Sequence, residues 1–293
     1  MAELSQIFSQ QPWLAWVGGA LLGLSVGSFL NVVIHRMPLM LERQWKRECR
    51  ELLELEAEQE TRERFNLIVP RSRCPHCGHR IGALENIPLL SWLWLRGRCR
   101  ACREPIGLQY PMVELFTALL TLLVLWRLGP TAQALAAMLF TWTLIALSGI
   151  DLKIYILPDN ITLPLLWLGL LLNWQGLYTS LDSALLGAVA GYLSLWLLYH
   201  GFRLLTGKEG MGYGDFKLFA AIGAWLGWQM LPLVIILAAV AGAVIGIGLI
   251  VLRGRDRAQP IPFGPFLAIG GWVALMWGEE ITRSYLRSAG ILY

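Results

Sequence analysis

The stretch Gly210-Met211-Gly212-Tyr213-Gly214-Asp215 sets the reading of this chain. Three glycines alternate with two apolar residues, and a carboxylate follows. Glycine tolerates backbone angles that other residues avoid and presents no side chain to an approaching neighbour. The chain can therefore bend here and let another backbone come close to Asp215. Long apolar runs lie on both sides. A second carboxylate, Asp151, stands at the end of another such run, in Gly149-Ile150-Asp151-Leu152-Lys153.

Those runs fix the class. Of 293 residues, 56% are hydrophobic and only 15% charged, against about 45–50% and about 25% in soluble domains. The mean hydropathy is +0.55. Apolar runs of roughly 18 residues or more recur, the pattern of an all-α polytopic membrane protein. The first span is expected over Trp13 to Ile34, with Pro38 as its stop, and lacks the flanks of a cleaved secretory signal. Seven more are expected at about 112–128, 131–150, 160–176, 183–204, 216–230, 231–252 and 264–281, giving about eight helices. The expected division is a first transmembrane helix in 1–36, a soluble segment in 37–110 and a seven-helix membrane part in 111–293. Within the soluble segment, Leu39 to Phe65 reads as a separate amphipathic helix. Its acidic stretch Glu51 to Glu63 reads as a solvated face.

Cytoplasmic loops collect Lys and Arg. The 37–110 segment is rich in Arg, and Lys153, Arg203, Lys208, Lys217, Arg253, Arg255 and Arg257 follow at alternate turns. Eight spans with the N-terminus outside satisfy this distribution. Asp151, Asp215 and the soluble segment then all face the cytoplasm.

Cys74-Pro75-His76-Cys77 and Cys99-Arg100-Ala101-Cys102 have the spacing of a tetrathiolate zinc ribbon. Zinc would supply folding energy to a segment with few apolar residues. Two disulfides are the alternative, at odds with a reducing cytoplasm. His76 and His79 could compete as ligands, although four Cys complete a tetrahedron. Cys49 is unpaired and reads as a small buried residue.

An aspartate at a membrane border is costly and therefore a functional candidate. Two carboxylates held close cannot both ionise easily. The ionised one can take a proton from water, and the protonated one can donate to a carbonyl oxygen or leaving amine. Against this, each Asp could cap a helix or pair with a nearby lysine, since Lys153 and Lys217 each follow two residues after an Asp. Asp159 and Asp182 read as helix caps, and Asp256, between arginines, as solvated. The glycine-rich stretch has neither the dinucleotide fingerprint nor the phosphate-loop ending.

Taken together, the motifs resemble those of the type IV prepilin peptidases, bifunctional leader peptidases and N-methyltransferases. The resemblance covers most of the chain. It rests on Gly27-Ser28-Phe29-Leu30-Asn31-Val32, Ser72-Arg73-Cys74-Pro75-x-Cys77, Glu85-Asn86-Ile87-Pro88-Leu89-Leu90-Ser91-Trp92 and Arg96-Gly97-Arg98-Cys99-Arg100-x-Cys102. It continues in Asp151 with Leu157-Pro158-Asp159, in Gly212-x-Gly214-Asp215 and in Pro262-Phe263-Gly264-Pro265-Phe266. It implies prepilins and type II secretion pseudopilins as substrates, cut at the cytoplasmic face of the bacterial inner membrane by the residues matching Asp151 and Asp215. It further implies methylation of the new N-terminus with S-adenosylmethionine, and a part in that step for Gly97 and the four cysteines. A proton- or ion-coupled transporter using its membrane aspartates is the rival reading, and a docking scaffold a third. No internal repeat speaks for transport, and transport leaves the cysteine module without a task.

Overall fold

The computed structural model describes residues 12–54, 65–82, 84–253 and 261–290. The chain is all-helical, with no strand among the described residues and only two isolated bridges, Arg73 with Arg80 and Arg98 with Pro105. The helices are α1 (Pro12–Leu52), α2 (Leu90–Trp94), α3 (Gln109–Leu128), α4 (Ala132–Ile154), α5 (Asp159–Trp174), α6 (Leu181–Thr206), α7 (Tyr213–Leu226), α8 (Leu231–Arg253) and α9 (Gly264–Ser288). Among the described residues, five are long and apolar enough to cross a membrane: α1, α3, α4, α6 and α8, the last taken with the short turn before it. At 16 and 14 residues, α5 and α7 fall short of the roughly 20 that a bilayer asks of a helix along its normal.

The helix boundaries fall close to the expected runs, with one large departure. Pro38 does not stop the first helix; α1 runs through it for 41 residues, on the order of 60 Å. The separate helix expected from Leu39 is its continuation, and 55–64 lies outside the described residues, as do Asp256, Arg255 and Arg257. A proline loses one backbone hydrogen bond, which neighbouring groups can offset in a well-packed helix. Around Pro38 the packing is firm: Ile34 and Met37 are buried. Arg36, buried at 9% exposure, donates to the carbonyls of Asn66, Leu67 and Pro70 at 2.9, 3.3 and 2.6 Å.

The chain forms two compact units, Met1–Ala134 and Leu135–Tyr293. In the first, α1 and α3 pack antiparallel along a stripe of small residues. A side chain at Gly27 would strike the Glu114 backbone, one at Gly23 the Ala118 backbone, and one at Gly19 the side chain of Leu125. Spacing of four residues places this stripe on one helical face, and without hydrophobic drive in lipid such close backbone contact is what holds helices together. The stripe ends in Asn31, whose Nδ2 donates to the Tyr110 carbonyl at 2.9 Å. Its Oδ1 is buried and without a partner among the described residues. Glu114 Oε2 accepts the Leu89 amide at 2.8 Å, and Leu89 holds a positive φ of 57°.

In the second unit α7 is the hub, with 11 of its residues buried. Trp225, fully buried, donates Nε1–H to the Leu165 carbonyl at 2.8 Å, and its ring covers Gly169 of α5. Asn173 Nδ2 reaches the Ala224 and Trp225 carbonyls at 2.8 and 2.9 Å, satisfying groups at the α7 C-terminus that α-helical bonding leaves open. Between α6 and α7, Gly187 and Gly223 face each other so closely that a Cβ on either would strike the carbonyl of the other.

Candidate functional site

The second unit brings the two expected carboxylates into one place. Asp151 lies one turn before the end of α4, 4% exposed; Asp215 lies in the first turn of α7, 6% exposed. Each is held by a backbone amide. Gly264 N–H, at the start of α9, donates to Asp151 Oδ2 at 3.1 Å. Gly212 N–H, the residue capping α7, donates to Asp215 Oδ2 at 3.2 Å. The second oxygen of each carboxylate has no hydrogen-bond partner among the described residues, and the charges are close enough to act on one another.

One side chain sets the convergence. Leu157, buried in the strap between α4 and α5, is wedged between Gly214 and Gly264: a Cβ on Gly214 would meet the Leu157 Cβ at 2.8 Å, and one on Gly264 both Leu157 methyls at 3.2 Å. A Cβ on Gly264 would also lie 2.6 Å from Asp151 Oδ2. Gly214 and Gly264 thus let two helix starts close on the strap. The strap begins at Tyr155, whose positive φ of 57° turns the chain out of α4.

The alternatives for the aspartates resolve unevenly. Asp215 does accept from the amide of its own cap residue, half of a capping box, since Gly212 has no side chain to complete it. Lys217 does not pair with Asp215. Its Nζ turns to Asp159, reaching Oδ1 and Oδ2 at 2.7 and 2.6 Å. Asp159 is accordingly no cap; Pro158 occupies that position and Asp159 opens α5. Asp182 is likewise displaced by Ser180, whose hydroxyl accepts the Ser183 amide at 3.3 Å. Nothing near Asp151 in sequence announced Gly264, 113 residues away; its signal was its place in the motif Pro262-Phe263-Gly264-Pro265-Phe266, which does not say what it touches.

In the first unit the four sulfurs of Cys74, Cys77, Cys99 and Cys102 all lie within 4.8 Å of one another. Cys74 Sγ and Cys102 Sγ are 3.8 Å apart, and the edge of a tetrahedron with Zn–S bonds of about 2.3 Å is about 3.8 Å. The donor set therefore fits a metal ion. Two matching turns build it. Gly78 N–H donates to Cys74 O and Cys74 N–H to His79 O; Arg103 N–H donates to Cys99 O and Cys99 N–H to Glu104 O. Gly78 and Arg103 both take positive φ, 70° and 60°. The amides of Cys77 and His76 pull the Cys74 thiol down to about 7, while Cys102 is pushed up to about 12, burial and the neighbouring sulfurs outweighing the Glu104 amide. His79 stands outside the cluster and meets Glu85 at 3.1 Å. Glu85 also faces Arg100, and its carboxyl is held below the usual range, first by the Gly82 amide and then by His79. Cys49, read as buried, is exposed on α1. Gly97 has a φ of 66° beneath the Trp92 ring, which a Cβ would approach to 2.9 Å; its carbonyl accepts from Ile106 N–H. Its visible role is to turn the chain under Trp92.

Two family models match, the bacterial peptidase A24 N-terminal domain over residues 21–128 and the type IV leader peptidase family over 138–247. The chain is 59% identical to the prepilin leader peptidase/N-methyltransferase of Aeromonas hydrophila over 98% of this chain and 99% of that one. The chain belongs to the type IV leader peptidase family. Family members of the same name from Pseudomonas aeruginosa and Legionella pneumophila are 58% and 46% identical, covering 92% and 97% of this chain and 93% and 98% of theirs. No solved structure matches significantly. Asp151 and Asp215 both fall in the segment matched by the second model, and all four cysteines in that matched by the first. The family names favour peptidase chemistry over ion-coupled transport.

Proposed function

We propose that this chain, a prepilin leader peptidase and N-methyltransferase, cuts its substrate with Asp151 and Asp215 acting as a pair. The observation that carries the reading is the convergence of two buried carboxylates on Leu157, each steadied by one amide and each with one oxygen uncommitted. Like charges this close favour a state in which one carboxyl keeps its proton. The ionised carboxylate takes a proton from water as the water oxygen bonds to the scissile carbonyl carbon. The protonated partner gives its proton to the carbonyl oxygen, and the C–N bond then breaks with a proton passing to the leaving amine. No metal or covalent enzyme intermediate takes part.

The finer assignments follow the same reading. Substrates are type IV prepilins and type II secretion pseudopilins, membrane helices whose scissile bonds lie at the cytoplasmic border of the inner membrane. Eight crossings with the N-terminus outside place the carboxylates and the cysteine module on that side, as the Lys and Arg distribution asks. Cys74, Cys77, Cys99 and Cys102 hold a structural Zn²⁺. S-adenosylmethionine donates the methyl group to the new N-terminal amine.

The test is co-expression with a prepilin and mass measurement of its N-terminus. Asp151→Asn and Asp215→Asn are each expected to abolish leader removal, a loss of at least about 10³-fold for residues that act as a unit, while insertion and helicity are kept. Cleavage by either well-folded variant at more than a few per cent of the normal rate would remove the pair from the mechanism.

A further inference from the structure

The ion pair between Asp159 and Lys217 has no part in the chemistry above, yet it ties together the two segments that fix the spacing of the carboxylates. Asp159 opens α5, two residues after the wedged Leu157; Lys217 lies in the first turns of α7, two residues after Asp215. The lysine grips both carboxylate oxygens, at 2.7 and 2.6 Å. Lys217 is the more buried partner, at 29% side-chain exposure against 54% for Asp159. We infer that Asp159 and Lys217 are positioning residues that brace the Leu157 strap against the start of α7 and so hold Asp151 and Asp215 at reacting distance. This rests on the aspartate-pair reading.

The reasoning is mechanical. The strap leaves α4 through the strained turn at Tyr155 and reaches α5 through Pro158 in extended conformation. It is anchored at Asp151 by the Gly264 amide and wedged at Leu157. Asp159 makes no other side-chain hydrogen bond or ion pair among the described residues. A surface pair of this kind adds little to global stability. Its worth lies in geometry, since misplacement of reacting groups by about 1 Å can cost on the order of 100-fold in rate. The lysine is also directed away from Asp215, so it does not act by neutralising that carboxylate.

The test is a double-mutant cycle on the full-length enzyme in detergent or proteoliposomes, with a prepilin substrate. Asp159→Asn and Lys217→Met are each expected to lower kcat of cleavage about tenfold, with KM changed less than about twofold and Tm nearly unchanged. The double variant should lose no more than either single one, because both remove the same brace. Lys217→Arg, which keeps the charge and can donate to both oxygens of Asp159, should retain more of the rate than Lys217→Met. The pH optimum should stay in place in Asp159→Asn and Lys217→Met. Additive losses, or a loss in Lys217→Met alone with a displaced pH profile, would mean the lysine acts on Asp215 by charge and would overturn the brace. Normal kcat in both single variants would overturn it too, while inactivity of Asp151→Asn and Asp215→Asn in the same assay would leave the aspartate pair standing. Retained cleavage by those aspartate variants would instead remove the reading on which the brace rests.

Discussion

Position 264 has to be glycine because of what stands against it. Its amide donates to Asp151 Oδ2, and a Cβ there would come within 2.6 Å of that oxygen and 3.2 Å of the Leu157 methyls. Its φ is unremarkable, so the demand is for space and not for backbone freedom. Gly264→Ala is therefore expected to push the carboxylate off its donor and cut the cleavage rate by roughly 10–100-fold. Stability should change less, because the helix start itself can accept alanine. Steady-state cleavage beside thermal melting checks this; a large fall in Tm with normal rate per folded molecule would contradict it. At this scale the sequence was informative about chemistry and silent about partnership. Asp151 and Asp215 stood out because ionisable groups at membrane borders are costly. Lys153 and Lys217 looked equivalent beside them, and only the fold shows Lys217 reaching Asp159, 58 residues away.

Helix packing carries the next level, and here small residues matter for what they lack. Gly187 and Gly223 let α6 and α7 touch backbone to backbone, and Gly191 does the same one turn on, against Phe219 and Ala220. Because α7 carries Asp215 and is buried along most of its own length, spreading this seam displaces the site along with the helix. Gly187→Leu is expected to destabilise the protein by about 1–3 kcal/mol, the usual cost of overpacking. It should also reduce cleavage even at temperatures where the protein stays folded. Melting curves and initial rates together test this, and an unchanged Tm would show that α6 can shift aside. The helices themselves were readable from apolar runs, because lipid forces backbone groups to be satisfied within each segment. Pro38 misled, since a helix end was inferred from a local rule that the packing of Ile34, Met37 and Arg36 overrides. Asp159 misled for a similar reason: a polar residue after proline at a helix start fits a cap, but the cap is Pro158 and the carboxylate has a lysine to bind. The glycine stripe of α1 was visible as a pattern, whereas its match to Glu114 and Ala118 of α3 lies some ninety residues along the chain.

Across the whole molecule, the four-cysteine cluster lies wholly in one compact unit and the two carboxylates wholly in the other. Among the described residues of this module few apolar side chains are buried, and we propose that its order depends on a bound ion, as expected of a small tetrathiolate module. Zinc binds thiolates, and protons compete for them. Without metal, Cys102 is pushed up to about 12 and is protonated at neutral pH, whereas Cys74, drawn down to about 7, is already half ionised there. Zinc uptake must expel the protons, so falling pH favours the metal-free form, and the change should be steep once Cys74 is also protonated, below about pH 6. About one zinc per chain is expected at pH 8 by elemental analysis, with release to a chromophoric chelator as the full-length protein is brought to pH 5. Limited proteolysis should then open the segment around Cys74–Cys102 first, while α5 to α7 stay protected, because Trp225, Asn173 and the Gly187–Gly223 seam owe nothing to the thiols. Zinc held firmly at pH 5 would overturn the proton competition, and digestion of α5 to α7 in step with the cysteine module would show that the order of the second unit depends on the metal in the first.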